Sequence, residues 1–316
     1  MTVDSDHATP RRGFLKTVSA AAATGLAAAG GLAADDPLAA GAKTLPTMKL
    51  GEHTISRMLA GWNQIGGFSH ATPHLSRYMQ EWFTVDRSVE FLTRCESEGI
   101  TGWQFDHWEK GVDIIRRLRE QGTKMKFICL HAERPQDAPP KKVVDDTGCI
   151  AIVHHGGVTD SLFRAGRAHK VRDFVKRVHD SGAMAGVSTH NTDNMKRIVD
   201  EGWENDLFMC SFYNLTKSAE EQIAEVGKAT IGEPFFEGDP DKMTALMRQV
   251  DKPCLAFKIL AAARKCWSKH AVEKCFQYAY LNIKPTDGVI VGMFPVYSDE
   301  VAEDTGYCRK YAASGA

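Results

Sequence analysis

The residues of this chain that are able to do chemistry stand at the ends of successive apolar runs. Trp62, Asn63 and Gln64 follow the first run, Gln104, Asp106, His107 and Trp108 the second, His131 and Glu133 the third, and His154 and His155 the fourth. Ser188, Thr189, His190 and Asn191 follow the fifth, Tyr213 and Asn214 the sixth, Lys258 the seventh, and Gly292 with Met293 the eighth. Five of the twelve histidines fall in this set. Imidazole titrates near neutral pH, so such clustering points to proton transfer or metal binding. Asp106, His131, Glu133, His154, His155 and His190 combine imidazole with carboxylate on adjacent runs, a donor set that suits zinc, manganese or iron and would serve a metal-dependent isomerase, lyase or hydrolase. No HExxH or HxH spacing accompanies it. Lys258 lies inside LAFKILA, where an unpaired charge is costly to bury. It reads either as half of a structural ion pair or as an electrophile, Schiff-base amine or phosphate contact.

The elements that must carry these residues follow from periodicity. ISRMLAGWN, GITGWQFD, KMKFICLHAE, GCIAIVHHGG, AMAGVSTHN, DLFMCSFYN, KPCLAFKILA and DGVIVGMFPV contain short, nearly continuous apolar runs and read as strands. Between them VDRSVEFLTRCESEG, GVDIIRRLREQG, KVRDFVKRVHDSG, NTDNMKRIVDEG, TKSAEEQIAEVGK and KHAVEKCFQYAYLN read as helices, several closing on a glycine. In KVRDFVKRVHDSG, Val171, Phe174, Val175 and Val178 form one stripe. Eight βα units with apolar strands predict a parallel sheet closed into a (β/α)8 TIM barrel, an α/β fold. An open doubly wound sheet is the alternative, and no strand is followed by the GxGxxG that such a fold uses for nucleotides. In a barrel, active residues come from the C-terminal strand ends, which is where the polar set lies. The stretch from Phe68 to Phe83, with His70, His74, Tyr78 and Trp82, is an insertion expected to cover the mouth.

Charge and cysteine use narrow the partners. With 39 basic and 40 acidic residues the net charge is -1, which provides no field for nucleic acid or an anionic membrane, so a small-molecule substrate is expected. The eight cysteines contain no CxxC pair, and Cys129, Cys210 and Cys254 sit inside strand-like runs as expected buried thiols.

The N-terminus carries an address. Arg11-Arg12 followed by Gly-Phe-Leu-Lys, a weakly apolar Ala/Gly/Leu run and small residues at Ala40-Gly41-Ala42 resemble a bacterial twin-arginine export signal. Residues 1–42 are therefore expected to be a leader handled by the twin-arginine machinery, and residues 43–316 a periplasmic or secreted barrel. No later stretch is long and apolar enough to span a bilayer.

Four segments, in order, resemble the aldo/keto reductases. TMKLGEHTISRMLAGWNQIGG is similar to their opening hairpin and first strand, GITGWQFD to their GIxxFDT strand, HDSGAMAGVSTHN to their helix-to-strand segment ending in GVSN, and DGVIVGMFPVYSDEVAED to their last strand and loop. The resemblance runs from Met48 to Asp304 and implies a (β/α)8 barrel that reduces carbonyls with NAD(P) and an Asp, Tyr, Lys and His tetrad. Asp106 matches the Asp, and His154 or His155 the His, strand alternation allowing only one of these two to point inward. Gly111 stands where the Tyr is expected and His131 where the Lys is, so the resemblance leaves either proton donation by His107 or His131 or a non-catalytic binding protein on the same barrel. Ser188 and Asn191 match the residues that hold the nicotinamide amide, Tyr213 offers a stacking face, and Gly292 and Met293 match the loop around the adenosine phosphate. Lys258 joins this cofactor set. Between residues 294 and 300 there is no basic residue to clamp a 2′-phosphate, which removes the usual ground for choosing NADPH.

Overall fold

The computed structural model describes residues 43–313. The expected leader, residues 1–42, lies outside the described residues. Ten strands are present among the described residues: β1 Thr47–Leu50, β2 His53–Ser56, β3 Met58–Ala60, β4 Gly102–Asp106, β5 Lys126–His131, β6 Ala151–His154, β7 Met184–Thr189, β8 Leu207–Ser211, β9 Cys254–Phe257 and β10 Gly288–Val291. β3 to β10 close a parallel barrel in sequential order, β10 pairing with both β3 and β9. The eight predicted strands are these eight, and the fold is the (β/α)8 barrel.

Each strand alternates between two destinations. Leu59, Ile128, Val153, Leu207, Met209, Leu255 and Ile290 meet inside the barrel, while Trp103, Phe105, Phe127, Cys129, Ile152, Val187, Phe208 and Cys210 face the helices. The antiparallel hairpin β1–β2 lies against the inner cluster through Met48, Leu50 and Ile55, all buried. A Cβ on Gly288 at the start of β10 would meet the Met48 sulfur at 2.8 Å, so the hairpin seals the N-terminal end of the barrel tightly.

The helices form for the reasons their sequences suggest. Helix His169–Asp180 buries Val171, Phe174, Val175 and Val178, the predicted stripe, and is followed by Gly182 at φ 87°, where only a residue without Cβ turns cheaply. Helix Val85–Ser97 starts on Thr84, whose hydroxyl accepts from Arg87 N at 3.2 Å. Six helices escape the sequence reading: Asn63–Gly66, Pro73–Trp82, Pro140–Thr147, Gly156–Arg164, Asp239–Met247 and Glu300–Ala312. Gly156-Gly157 and the prolines at their starts look like breakers, yet proline is well suited to a first turn. All eight cysteines are free thiols, and Cys129, Cys210 and Cys254 are buried as expected. No helix among the described residues is long and apolar enough to cross a membrane.

Closure at the β3–β10 seam is held by one buried guanidinium. Arg57, just before β3, donates from Nε to Asp287 O at 2.8 Å, from Nη1 to Ala312 O at 2.7 Å and from Nη2 to Lys284 O at 2.9 Å, and stacks 5.2 Å from the Tyr280 ring centroid. It ties the first barrel strand to the entry of the last and to the C-terminal helix. Replacing it by Met keeps volume but leaves the Asp287 and Ala312 carbonyls without a donor, while Lys284 O keeps Asp287 N at 3.0 Å. Arg57→Met is expected to lower unfolding stability by about 3 kcal/mol or more, read as a drop in the urea midpoint, with Arg57→Lys intermediate.

Candidate active site

The C-terminal ends of the barrel strands open into one cleft of about 730 Å³. Its floor is the top layer of inward side chains: Gln104 and Asp106 from β4, Leu130 from β5, His155 just past β6, Ser188 from β7, Met209 from β8, Phe257 and Lys258 at the end of β9, and Ile290 with Gly292 and Met293 at β10. The expected insertion does cover the mouth. Phe68, Ser69, His70, Leu75 and Met79 line the cleft, and His70 Nδ1 reaches Glu233 Oε1 and Oε2 at 2.8 and 2.9 Å, joining the insertion to the segment after β8.

Several floor atoms are buried and lack a protein partner: Gln104 Nε2, Asp106 Oδ1, His155 Nδ1, Gln64 Oε1 and Trp62 Nε1. Buried polar atoms are ordinarily bonded, so this convergence on one cleft marks a place prepared for a polar ligand. Burial raises the Asp106 carboxyl to about 7, against the opposing pull of Arg134. Burial lowers His155 to about 4, assisted by His190, Arg134 and Lys258, so its ring is neutral at pH 7. Burial also brings Lys258 down to about 8, with Glu233 pulling the other way. An acid and an amine thus titrate near neutrality beside an imidazole held neutral, the pattern of proton-transfer sites.

His190 is held from behind. Its Nδ1 lies 3.0 Å from Asp160 Oδ2, its backbone N donates to the same oxygen at 2.9 Å, and Asn194 Nδ2 donates to Asp160 Oδ1 at 2.8 Å, with Thr189 Oγ1 on that oxygen as well. Among the described residues no hydrogen bond reaches Nε2. Asp160 is an orienting residue that the sequence reading missed. Gly156, Thr159, Asp160 and Phe163 are the buried positions of their helix, and an acid on such a stripe was the available signal. Gly156 must lack a side chain here, since its Cβ would meet Ser188 Oγ at 2.9 Å and the His190 ring at 3.1 Å.

The pleat separates the predicted residues. Asp106, His155, Ser188, Lys258, Gly292 and Met293 line the cleft, and five others do not. His131 and His154 end their strands on the outward phase, both against the Phe174 ring at 5.5 and 4.9 Å. His131 Nε2 is occupied by Ala138 O at 2.8 Å, and His154 Nδ1 by Thr159 Oγ1 at 2.7 Å. His107 turns to Asp146 at 2.9 Å on an outer helix. Asn191 caps helix Thr192–Asp200 by accepting from Asp193 N at 2.8 Å, and faces a smaller neighbouring pocket. Tyr213 is buried against Phe235 with centroids 5.1 Å apart, so it offers no free stacking face. Proton donation by His107 or His131 is therefore excluded by where these rings sit. The six-residue metal set also fails to converge, and among the described residues no three His, Cys, Asp or Glu side chains come together to hold a metal ion. Gly111 cannot carry the tyrosine that the resemblance expects, because its Cβ would lie 2.6 Å from Asp106 O.

No protein-family model and no curated protein matches the chain. Solved barrels do share its fold. Gox0644 in its apo form aligns with a TM-score of 0.50 at 11% identity, over 86% of this chain and 94% of that one. Phospho-2-dehydro-3-deoxyheptonate aldolase (DAHP synthase) of Thermotoga maritima aligns with a TM-score of 0.50 at 10% identity, over 86% of this chain and 74% of that one. At such identities the likeness concerns the fold alone.

The unpartnered carboxyl at the floor has a measurable cost. With its pKa raised from 3.8 to about 7 in the folded state, Asp106 contributes stability below pH 4 that is lost as pH rises to about 7. The loss is roughly 4 kcal/mol, three units at about 1.4 kcal/mol each. Asp106→Asn, which cannot ionise, is expected to melt several degrees above wild type at pH 8 and close to it at pH 4, as read by thermal unfolding at both values.

Proposed function

We propose that the chain is a barrel enzyme that reduces, or oxidises in reverse, a small carbonyl or sugar-like compound with a nicotinamide cofactor, in the manner of an aldo/keto reductase. The observation that carries this reading is the pair Asp106 and His155, both facing the cleft with bare polar atoms. The floor fits a nicotinamide in kind: Phe257, Ile290, Met209 and Met293 supply apolar faces, and the unpartnered Gln104 Nε2 and Gln64 Oε1 match the acceptor and donor of a carboxamide. When bound, the reduced cofactor supplies a hydride to the carbonyl carbon and is itself oxidised.

The residues of this chain do the rest. His155, neutral at pH 7, donates a hydrogen bond to the carbonyl oxygen. Asp106, about half protonated at pH 7, gives its proton to that oxygen as negative charge develops, so the role lost with the missing tyrosine passes to the acid itself. The apolar walls and the insertion over the mouth keep water from the reacting carbon. At the outer end Glu300 and Glu303 line the cleft, and the nearby Lys269 is neutralised by Glu303. Such a surface suits a ribose diol and repels a 2′-phosphate, which favours NADH over NADPH. Residues 1–42 belong to the same proposal as a twin-arginine leader that delivers the folded enzyme to the periplasm.

Titrating purified protein with NADH should quench tryptophan emission from Trp62 and Trp108 beside the cleft, with weaker binding of NADPH. Against a panel of aldoses and small ketones, reduction should fall tenfold per unit as pH rises above about 7, because Asp106 loses its proton there. Asp106→Asn should lower kcat by roughly 10²–10⁴-fold with KM little changed. Failure of either cofactor to bind at millimolar concentration would sink this reading.

A further inference from the structure

Lys258 has no role in hydride transfer, and its surroundings are unusual for a lysine. It is the residue after β9, held at φ 59° in the left-handed region, and it lines the cleft. Protein surrounds the ammonium on nearly every side, while the side chain still touches solvent through the cleft. Among the described residues no hydrogen bond or ion pair reaches Nζ, which instead lies 4.9 Å from the centroid of the Phe257 ring. The acid whose charge acts on it, Glu233, is engaged by His70 at 2.8 Å. A structural lysine buried this far is ordinarily paired, because the lone charge is costly.

The backbone makes the presentation rigid. Ala261 N donates to Lys258 O at 2.8 Å, and Ala261, Ala262 and Ala263 follow at φ 51°, 48° and 70°, three consecutive non-glycine residues in a conformation that costs about 1–2 kcal/mol each. Strain of this kind persists where the surroundings over-determine it. Around the amine stand His155, with Nδ1 bare, and His190, with Nδ1 tied to Asp160 and Nε2 free. Arg134 also lines the cleft, its own acid Asp137 no nearer than 3.7 Å.

We propose that Lys258 is a nucleophile that forms an imine with the carbonyl group of the substrate, and that the substrate class is a small 2-oxo acid whose carboxylate meets Arg134. This rests on the reading that the cleft takes a carbonyl compound and is independent of the nicotinamide. The amine first gives a proton to His190 and attacks as the neutral species, which burial makes about a tenth of the population at pH 7. The N–C bond forms as the C=O π pair moves to oxygen. That oxygen takes a proton from the new ammonium to become a hydroxyl, which receives the proton held by His190 and leaves as water while the nitrogen lone pair forms the C=N bond, so lysine ammonium plus ketone becomes iminium plus water with no redox change. The iminium accepts the electron pair of an adjacent C–H or C–C bond, with His155 or His190 taking or returning the proton. This places a lyase or isomerase step within reach of the cleft.

The test is reductive trapping of the full chain with pyruvate and sodium borohydride at pH 7, followed by peptide mass mapping. An N-alkylated Lys258, labelled roughly a hundredfold faster than ordinary exposed lysines, is the expected result. Lys258→Arg, which keeps the charge, should abolish the adduct, and His190→Gln should slow it at least tenfold with the near-ultraviolet circular dichroism unchanged. Labelling spread evenly over surface lysines overturns the proposal. No adduct together with NADH-dependent carbonyl reduction also overturns it, and leaves the reductase reading standing. An adduct at Lys258 in protein that binds no nicotinamide supports it and removes the reductase reading.

Discussion

A closed sheet gives each strand residue only two places to go, and the rest of this molecule follows from that. Seven or more inward side chains meet inside the barrel and are sealed from below by Met48, Leu50 and Ile55 of the hairpin. The outward ones pack under helices. At the top of the barrel the same alternation decides function, since of two adjacent histidines one is sealed against Phe174 and the other opens on the cleft. A one-residue slip of β6 would exchange them. The pairing His131↔His154 and the bond from His155 N to His131 O at 2.8 Å hold that register at the last possible residue.

The cleft is expensive to maintain. Buried acid, imidazole and ammonium are each displaced toward the neutral form because water is missing and the protein supplies few partners. His190 is displaced the same way by burial but differs in its partners, with four hydrogen bonds fixing the carboxylate behind it. The contrast separates a positioned group from groups left open for a ligand. Stability is recovered elsewhere, in the apolar layers and in the seam around Arg57, where every donor of the fork that points inward finds a carbonyl.

The fold was legible because it depends on long-range periodicity. Apolar runs located all eight strands, the stripe on residues 171–178 was buried position for position, and the opening hairpin and the insertion over the mouth stand where they were expected. The site was legible only in part, because it depends on single-residue phase. A run such as KFICLHAE does not state where its pleat ends, so His131 could be assigned to a strand end but not to a face. Asn191 and Tyr213 matched a motif by type, while local demands took them: one caps a helix and the other fills the core. Asp160 lay in a segment that the sequence reading assigned to no element, and its importance is carried by three neighbours that meet only after folding. The absence of a tyrosine at position 111 had a physical reason that no pattern could reveal, the close approach of the helix to Asp106 O.

The hairpin beneath the barrel has a bearing on traffic. Because Met48, Leu50 and Ile55 close the lower end, the described residues leave the chamber one doorway, under the insertion and the segment tied to it by His70. Whatever enters must leave by the same route, and two molecules that share the chamber must queue. The one that lies deeper is then first in and last out, so an ordered sequence of arrival and departure is built into the architecture before any residue of the floor takes part.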